Sequence, residues 1–259
     1  TFFSYRMGYF IYTLLMIYLM TKEFVLREEI IRKTPVSRFH KMPNLLEQVD
    51  GIIVTIDLKN SEILFRLRAK NSSSTDYVSH WRNETYQHFI EQRAVILSQA
   101  GDEITAFFAI ESLEDEKAVY QRVFDSLEHY DQCLEGFQSE CAVKLFNFKF
   151  SYRTAIIKGS LRPYWEELGE TRVPSWTEAG TTTALVDVHR YLEMEKSLNT
   201  SADLHMAVIP AELLDHILIL YPQVKKKVLF SHAKQTGKHN VVYDVSALNI
   251  GISIGRQRL

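Results

Sequence analysis

Residues 51–57, "GIIVTID", run as an unbroken apolar and β-branched stretch into a single carboxylate. A run this short and this rich in isoleucine and valine predicts a buried strand, because a helix needs a longer segment to present a comparable core face. A polar elbow, Leu58-Lys59-Asn60-Ser61, follows at once, and from Ser61 the spacing of Ile63, Leu64 and Leu67 predicts a helix. A strand that ends on Asp57 and turns into a helix sets the carboxylate beside free backbone N–H groups, which suit phosphate oxygens. The stretch "LSQAGDEITAFF" (97–108) raises Asp102 in a comparable way, at the Gly-Asp tip of a predicted hairpin.

Singly, Asp57 is an ordinary helix cap and Asp102 an ordinary turn residue. As a pair, two carboxylates at strand ends can meet on neighbouring strands. Mg²⁺ favours such sites, taking one or two carboxylates and filling its shell from waters and substrate phosphates. Two such ions about 3.5–4 Å apart can activate a hydroxyl and hold a triphosphate.

The rest of the chain alternates helical and strand patterns, an α/β arrangement. "YVSHWRNETYQHFIEQRAVIL" predicts a long helix leading into a strand, and residues 112–146 predict another helix with Val119, Val123, Phe124 and Leu127 on one face. "FSYRTAIIKGSLRP" predicts a strand running into a turn, and 163–180 a loop, given Pro163, Gly169 and Pro174. A helix over "TTTALVDVHRYLEMEKSL", the strand "HMAVIP", the helix "AELLDHILILYP" and two closing strands around a Gly237 turn complete the pattern.

At 259 residues with 46% hydrophobic content, the chain can bury a full core. A net charge of −2 gives no electrostatic case for binding nucleic acid. Cys133 and Cys141 make neither a disulfide framework nor a zinc site and are expected to be reduced thiols. The nine histidines show no ligand spacing, and "KKK" (225–227) is expected to be a solvated turn. "MGYFIYTLLMIYLM" (7–20) carries no charge and is followed by Lys22, Arg27, Arg32, Lys33, Arg38 and Lys41. Basic residues just past an apolar helix mark a cytoplasmic flank, so 1–20 is expected to be a membrane helix and 21–44 a helical connector. The expected location is a membrane-anchored chain, in the inner or plasma membrane, with its main domain (45–248) in the cytoplasm and a tail over 249–259.

Over roughly residues 45–248 the sequence resembles the catalytic domain of class III nucleotidyl cyclases. "VTIDLKNSEILF" resembles the family's first metal strand, with Asp57 and the carbonyl of Leu58 in the ligand places. "AGDEITAFF" resembles the second metal hairpin, with Asp102. "YRTAIIKGSLRP" resembles the Ile-Gly-Ile-x-x-Gly strand with Gly159 at its last glycine, "SWTEAG" the base-recognition strand, and "GKHNVVYDV" the closing strands. The resemblance implies an α/β (α+β) fold: a ferredoxin-like βαββαβ core with extra closing strands. It also implies two Mg²⁺ or Mn²⁺ ions per site, a homodimer with the site between subunits, and an adenylate-cyclase-type reaction. In that reaction ATP, the family's most common substrate, becomes a 3′,5′-cyclic nucleotide and pyrophosphate. The substrate-binding set it suggests is Lys59, Asn60, Ser61, Glu62, Ser98, Gly101 and Thr177.

The departures fall in the base pocket and on the next helix. The family's base-reading lysine is Ser98 here, and its partner acid aligns with Thr177. The family's Asn-x-x-x-Arg falls on Ala184 and Val188. A two-residue shift brings Arg190 onto the arginine, the expected catalytic residue, but leaves Val186 at the asparagine. These changes keep two alternatives open: a non-catalytic cyclase-like signalling or nucleotide-binding module, and a diguanylate-cyclase-like enzyme, whose Gly-Gly-Asp-Glu-Phe hairpin "AGDEITAFF" also approaches.

Overall fold

The computed structural model describes residues 48–59, 61, 74–100, 102–110, 113–145, 150–168, 171–178, 183–198, 205–237 and 240–250. The expected membrane helix and connector lie outside the described residues, which all belong to the compact unit Asn44–Leu259. Among the described residues no helix is long and apolar enough to cross a membrane.

The first strand, β1 (Val49–Lys59), is followed by helix α1 (Ser74–Glu91), the hairpin β2 (Val95–Ala100) and β3 (Glu103–Ala109), helix α2 (Leu113–Leu145) and strand β4 (Ser151–Leu168). The sheet order β2-β3-β1-β4, with β3 and β4 both antiparallel to β1, is the expected βαββαβ core. Strand β5 (Thr171–Glu178) pairs, among the described residues, with β4 alone. Helix α3 (Ala184–Leu198), β6 (Met206–Pro210), helix α4 (Ala211–Leu220), a 3₁₀ turn (Pro222–Lys227), β7 (Val228–Thr236) and β8 (Val242–Asn249) extend the sheet through β6-β8-β7. The fold is therefore mixed α+β with added closing strands.

Strand β1 is buried on both faces because helices cover both. Its even positions, Ile52, Val54, Ile56 and Leu58, join Phe108, Ile156 and the α2 residues Val119, Val123 and Leu127 in the main core. Its odd positions, Ile53, Thr55, Asp57 and Lys59, lie on the opposite face, by the period-2 alternation of a strand. Helix α3 packs on that face against β4 and β1. Glu178 at the end of β5 aims α3: its carboxylate accepts the Leu185 and Val186 backbone N–H groups at 2.8 and 3.3 Å, satisfying donors that a helix start leaves open.

Two local expectations are corrected. β1 does not end at Asp57 but continues through Leu58 and Lys59, which pair with Tyr152 and Ser151 of β4. The expected loop over 163–180 is corrected for 163–168 and 171–178, which are strand. β4 runs on through Pro163 to Leu168 and pairs with β5 as a two-stranded arm, with Pro163 opposite Trp176 and Pro174 opposite Trp165. Proline lacks an N–H but fits a strand whose other side has no partner, which explains how both prolines sit within strands.

Candidate active site

The β1–β3 ladder brings Asp57 and the hairpin tip together. Its register runs from Gly51–Ala109 to Ile56–Ile104, so Asp57 is the next residue beyond the last pair and faces the tip that carries Asp102 and Glu103. Behind it, Thr55 and Thr105 share a buried hydroxyl–hydroxyl hydrogen bond of 3.0 Å that pins this register.

The two carboxylates interact. Burial pushes the Asp102 carboxyl above the usual range. The nearby Asp57 pushes it further, while a hydrogen bond from the Ser61 hydroxyl works the other way. Among the described residues, Asp102 Oδ2 is buried with no hydrogen-bond partner. A buried carboxylate oxygen without a donor, beside a second carboxylate, is a site short of positive charge, so the residues fit a divalent cation. Among the described residues no group of three or more His, Cys, Asp or Glu side chains is arranged to hold a metal. The protein therefore offers a pair, which suits Mg²⁺ because that ion draws the rest of its shell from water and substrate oxygens.

Five further residues surround the pair. Arg153 stands opposite Asp57 in the β1–β4 register and donates to its Oδ2 from Nε at 2.6 Å and from Nη2. Its Nη1 lies 3.6 Å from Glu193 of α3. Glu103 is raised by burial first, against the pull of His189 and with a further push from Asp57; His189 Nδ1 of α3 is 3.7 Å from Glu103 Oε2. From beneath, the Tyr130 phenol of α2 is fully buried. Burial and then the charges of Asp102 and Asp57 push it well above its usual range. Sequence reasoning missed all five. The residue next to Asp102 was a visible signal for Glu103. Arg153 lies within the quoted "YRTAIIKG", but only strand register gives its partner.

The other expected site residues are more dispersed. Leu58 has its side chain in the core at 2% exposure. Lys59 ion-pairs with Glu195 of α3 at 2.7 Å. Ser61 is helical and reaches Asp102. Asn60, Glu62 and Gly101 lie outside the described residues. Ser98 is exposed on β2 beside a register shift at Ile96–Ser98, and Thr177 is exposed on β5 opposite Arg162. Arg190 is exposed on α3, donating to Asp187 one turn earlier at 2.8 Å. Val186, at the place of the missing asparagine, is 46% exposed.

No family model matches the sequence, and a sequence search among curated proteins finds no match. Solved structures do resemble it. The adenylyl cyclase CyaB from P. aeruginosa superposes with a TM-score of 0.54 at 11% identity, over 78% of this chain and 94% of that one. The guanylate cyclase domain of RhGC from Catenaria anguillulae, in complex with GTP, gives 0.52 at 12% identity over 78% and 98%. A bacterial light-regulated adenylyl cyclase gives 0.57 at 11% identity over 92% and 64%. The chain has the fold of the class III adenylyl and guanylyl cyclase catalytic domain.

Proposed function

We propose that the protein is a nucleotidyl cyclase that converts a nucleoside triphosphate to a 3′,5′-cyclic nucleotide and pyrophosphate. One observation carries this reading: on a cyclase fold, Asp57 faces Asp102, whose buried Oδ2 has no donor among the described residues. Mg²⁺ or Mn²⁺ bound by the pair would stabilise charge on the attacking ribose oxygen and on the triphosphate. Asp57 and Asp102 are the residues to hold it, with the Leu58 carbonyl as a further ligand and Ser61 orienting Asp102.

ATP is the substrate by family frequency, with GTP the first alternative. The site is composed by two copies of the chain, as the family resemblance implies, and Ser98 and Thr177 lie on the strands that would read the base. The apolar 7–20 segment with its basic flank supports a membrane anchor with the cyclase domain in the cytoplasm. A second reading, a nucleotide-binding module without turnover, is favoured by one observation: Arg190 is already engaged by Asp187.

The test is incubation of the purified protein with each of the four ribonucleoside triphosphates and Mn²⁺, followed by mass spectrometry of the products. The expected result is a cyclic nucleotide and pyrophosphate, with turnover in Asp57→Asn and Asp102→Asn falling by at least ~10²-fold. Wild-type turnover in either variant sinks the metal-pair reading. Nucleotide binding without any product establishes the second reading.

A further inference from the structure

We propose that Arg153 is a built-in counter-charge for the carboxylate pair: it stands in for a cation at Asp57 in the metal-free protein and weakens the binding of a divalent ion there. The inference rests on the cyclase reading only for what the pair is used for. Its grounds are geometric. Asp57 and Arg153 are direct cross-strand partners on β1 and β4, 96 residues apart in sequence. Both donors, Nε and Nη2, fall on the same oxygen, Oδ2, and both side chains are only 15% exposed.

This is not an isolated surface pair, which would contribute little. By the β1–β3 register, Asp57 faces the hairpin tip that carries two more carboxylates, Asp102 and Glu103. Like charges brought together on a half-buried sheet end destabilise the fold unless something offsets them. Among the described residues Arg153 is the cation that contacts Asp57, and it also approaches Glu193 from α3 at 3.6 Å. A guanidinium is always charged and presents its donors in a rigid fork, so it holds this role at any working pH.

The consequence is a pair of opposite effects. Removing the charge exposes the metal-free protein to carboxylate repulsion. The same removal spares an incoming divalent cation the repulsion of a neighbouring positive charge. An arginine that merely braced β1 against β4 would give lower stability with no gain in metal affinity, and one that only aimed Asp57 at the metal would give weaker metal binding.

The experiment uses the full chain without nucleotide. Arg153→Gln keeps hydrogen-bonding capacity and drops the charge, and Arg153→Lys keeps the charge. Mn²⁺ affinity is read by electron paramagnetic resonance of free Mn²⁺, and thermal stability is read with and without Mn²⁺. The expected result for R153Q is a lower melting temperature without metal, Mn²⁺ binding tightened about fivefold through the lost charge repulsion, and a larger stabilisation by Mn²⁺ than in wild type. R153K should stay near wild type in both. If R153Q does not fold without metal, added Mn²⁺ should restore folding, and D57N/R153Q should fold better than R153Q alone. Mn²⁺ binding in R153Q equal to or weaker than wild type overturns the proposal, as does a variant that Mn²⁺ cannot rescue. None of these readouts needs turnover. Failure here leaves the cyclase reading to stand on its products, and failure of cyclisation leaves the Mn²⁺ comparison intact.

Discussion

Gly159 on β4 and Ala184 at the start of α3 approach so closely that a β-carbon on Gly159 would lie 2.5 Å from the Ala184 Cβ. Two small residues thus let the helix that carries His189, Glu193 and Glu195 sit directly on the sheet. Gly159→Ala should cost about 1–3 kcal/mol by forcing the helix outward. Adding Ala184→Gly should restore part of it, because the clash is between these two side chains. Denaturant unfolding of both variants measures this; equal loss with and without the second change would show that the close contact is not the cause.

Glu195 is fully buried on α3, and its Oε1 accepts from the Lys59 ammonium at 2.7 Å. Lys59→Met removes this cation from a buried carboxylate and should cost up to about 3 kcal/mol. Lys59→Met/Glu195→Leu should recover most of the loss, since a matched apolar pair replaces the ions. Because Lys59 follows Asp57 by two residues on the same face, losing its positive charge should also tighten Mn²⁺ binding slightly. Chemical denaturation and Mn²⁺ titration of the single and double variants check both effects.

Glu116 of α2 is buried with its carboxylate facing Lys158 Nζ at 2.7 Å and His216 Nε2 at 3.0 Å. Burial works to raise its carboxyl, but Lys158 and His216 together outweigh burial and hold it below the ordinary value. A depressed acid contributes stability that is present above the unfolded carboxyl range, around pH 4.3, and is lost as the pH falls through the folded value. Glu116→Gln should therefore be less stable than wild type at pH 6, and the gap should close below about pH 4. Melting temperatures from pH 6 to pH 3 test this, and a constant gap would place the stabilisation elsewhere.

The family resemblance aligns Ser98 and Thr177 with a charged base-reading pair, and both are exposed here. A hydroxyl donates and accepts equally well, so it discriminates weakly between base edges, whereas a dedicated charged group left unpaired rejects the wrong base. The expected outcome is loose selectivity among the four triphosphates, sharpened toward ATP by Ser98→Lys. The measurement is kcat/KM for each nucleotide in both proteins. Strict selectivity that ignores substitutions at Ser98 and Thr177 would assign base reading to other residues.

The sequence alone determined the strand at "GIIVTID", the hairpin around Asp102 and the helices expected over 112–146 and 181–198, which run over Leu113–Leu145 and Ala184–Leu198, because each is written in local apolar periodicity or turn chemistry. It also raised two carboxylates that can meet on neighbouring strands, though β1 runs two residues past the first of them. The arm at 163–178 was hidden, since Pro163 and Pro174 signal a loop wherever the neighbouring strand is unknown, and only the pairing of β4 with β5 shows that each proline is tolerated. Arg153 looked like any strand charge, and Glu195 like any solvated helix position. Their partners, Asp57 and Lys59, are 96 and 136 residues away. No local pattern encodes a pairing at that distance. Strand register and the docking of α3 on the odd face of β1 bring these charges together, and they do so because burying the apolar faces of β1 leaves its polar residues one position in which they can be compensated.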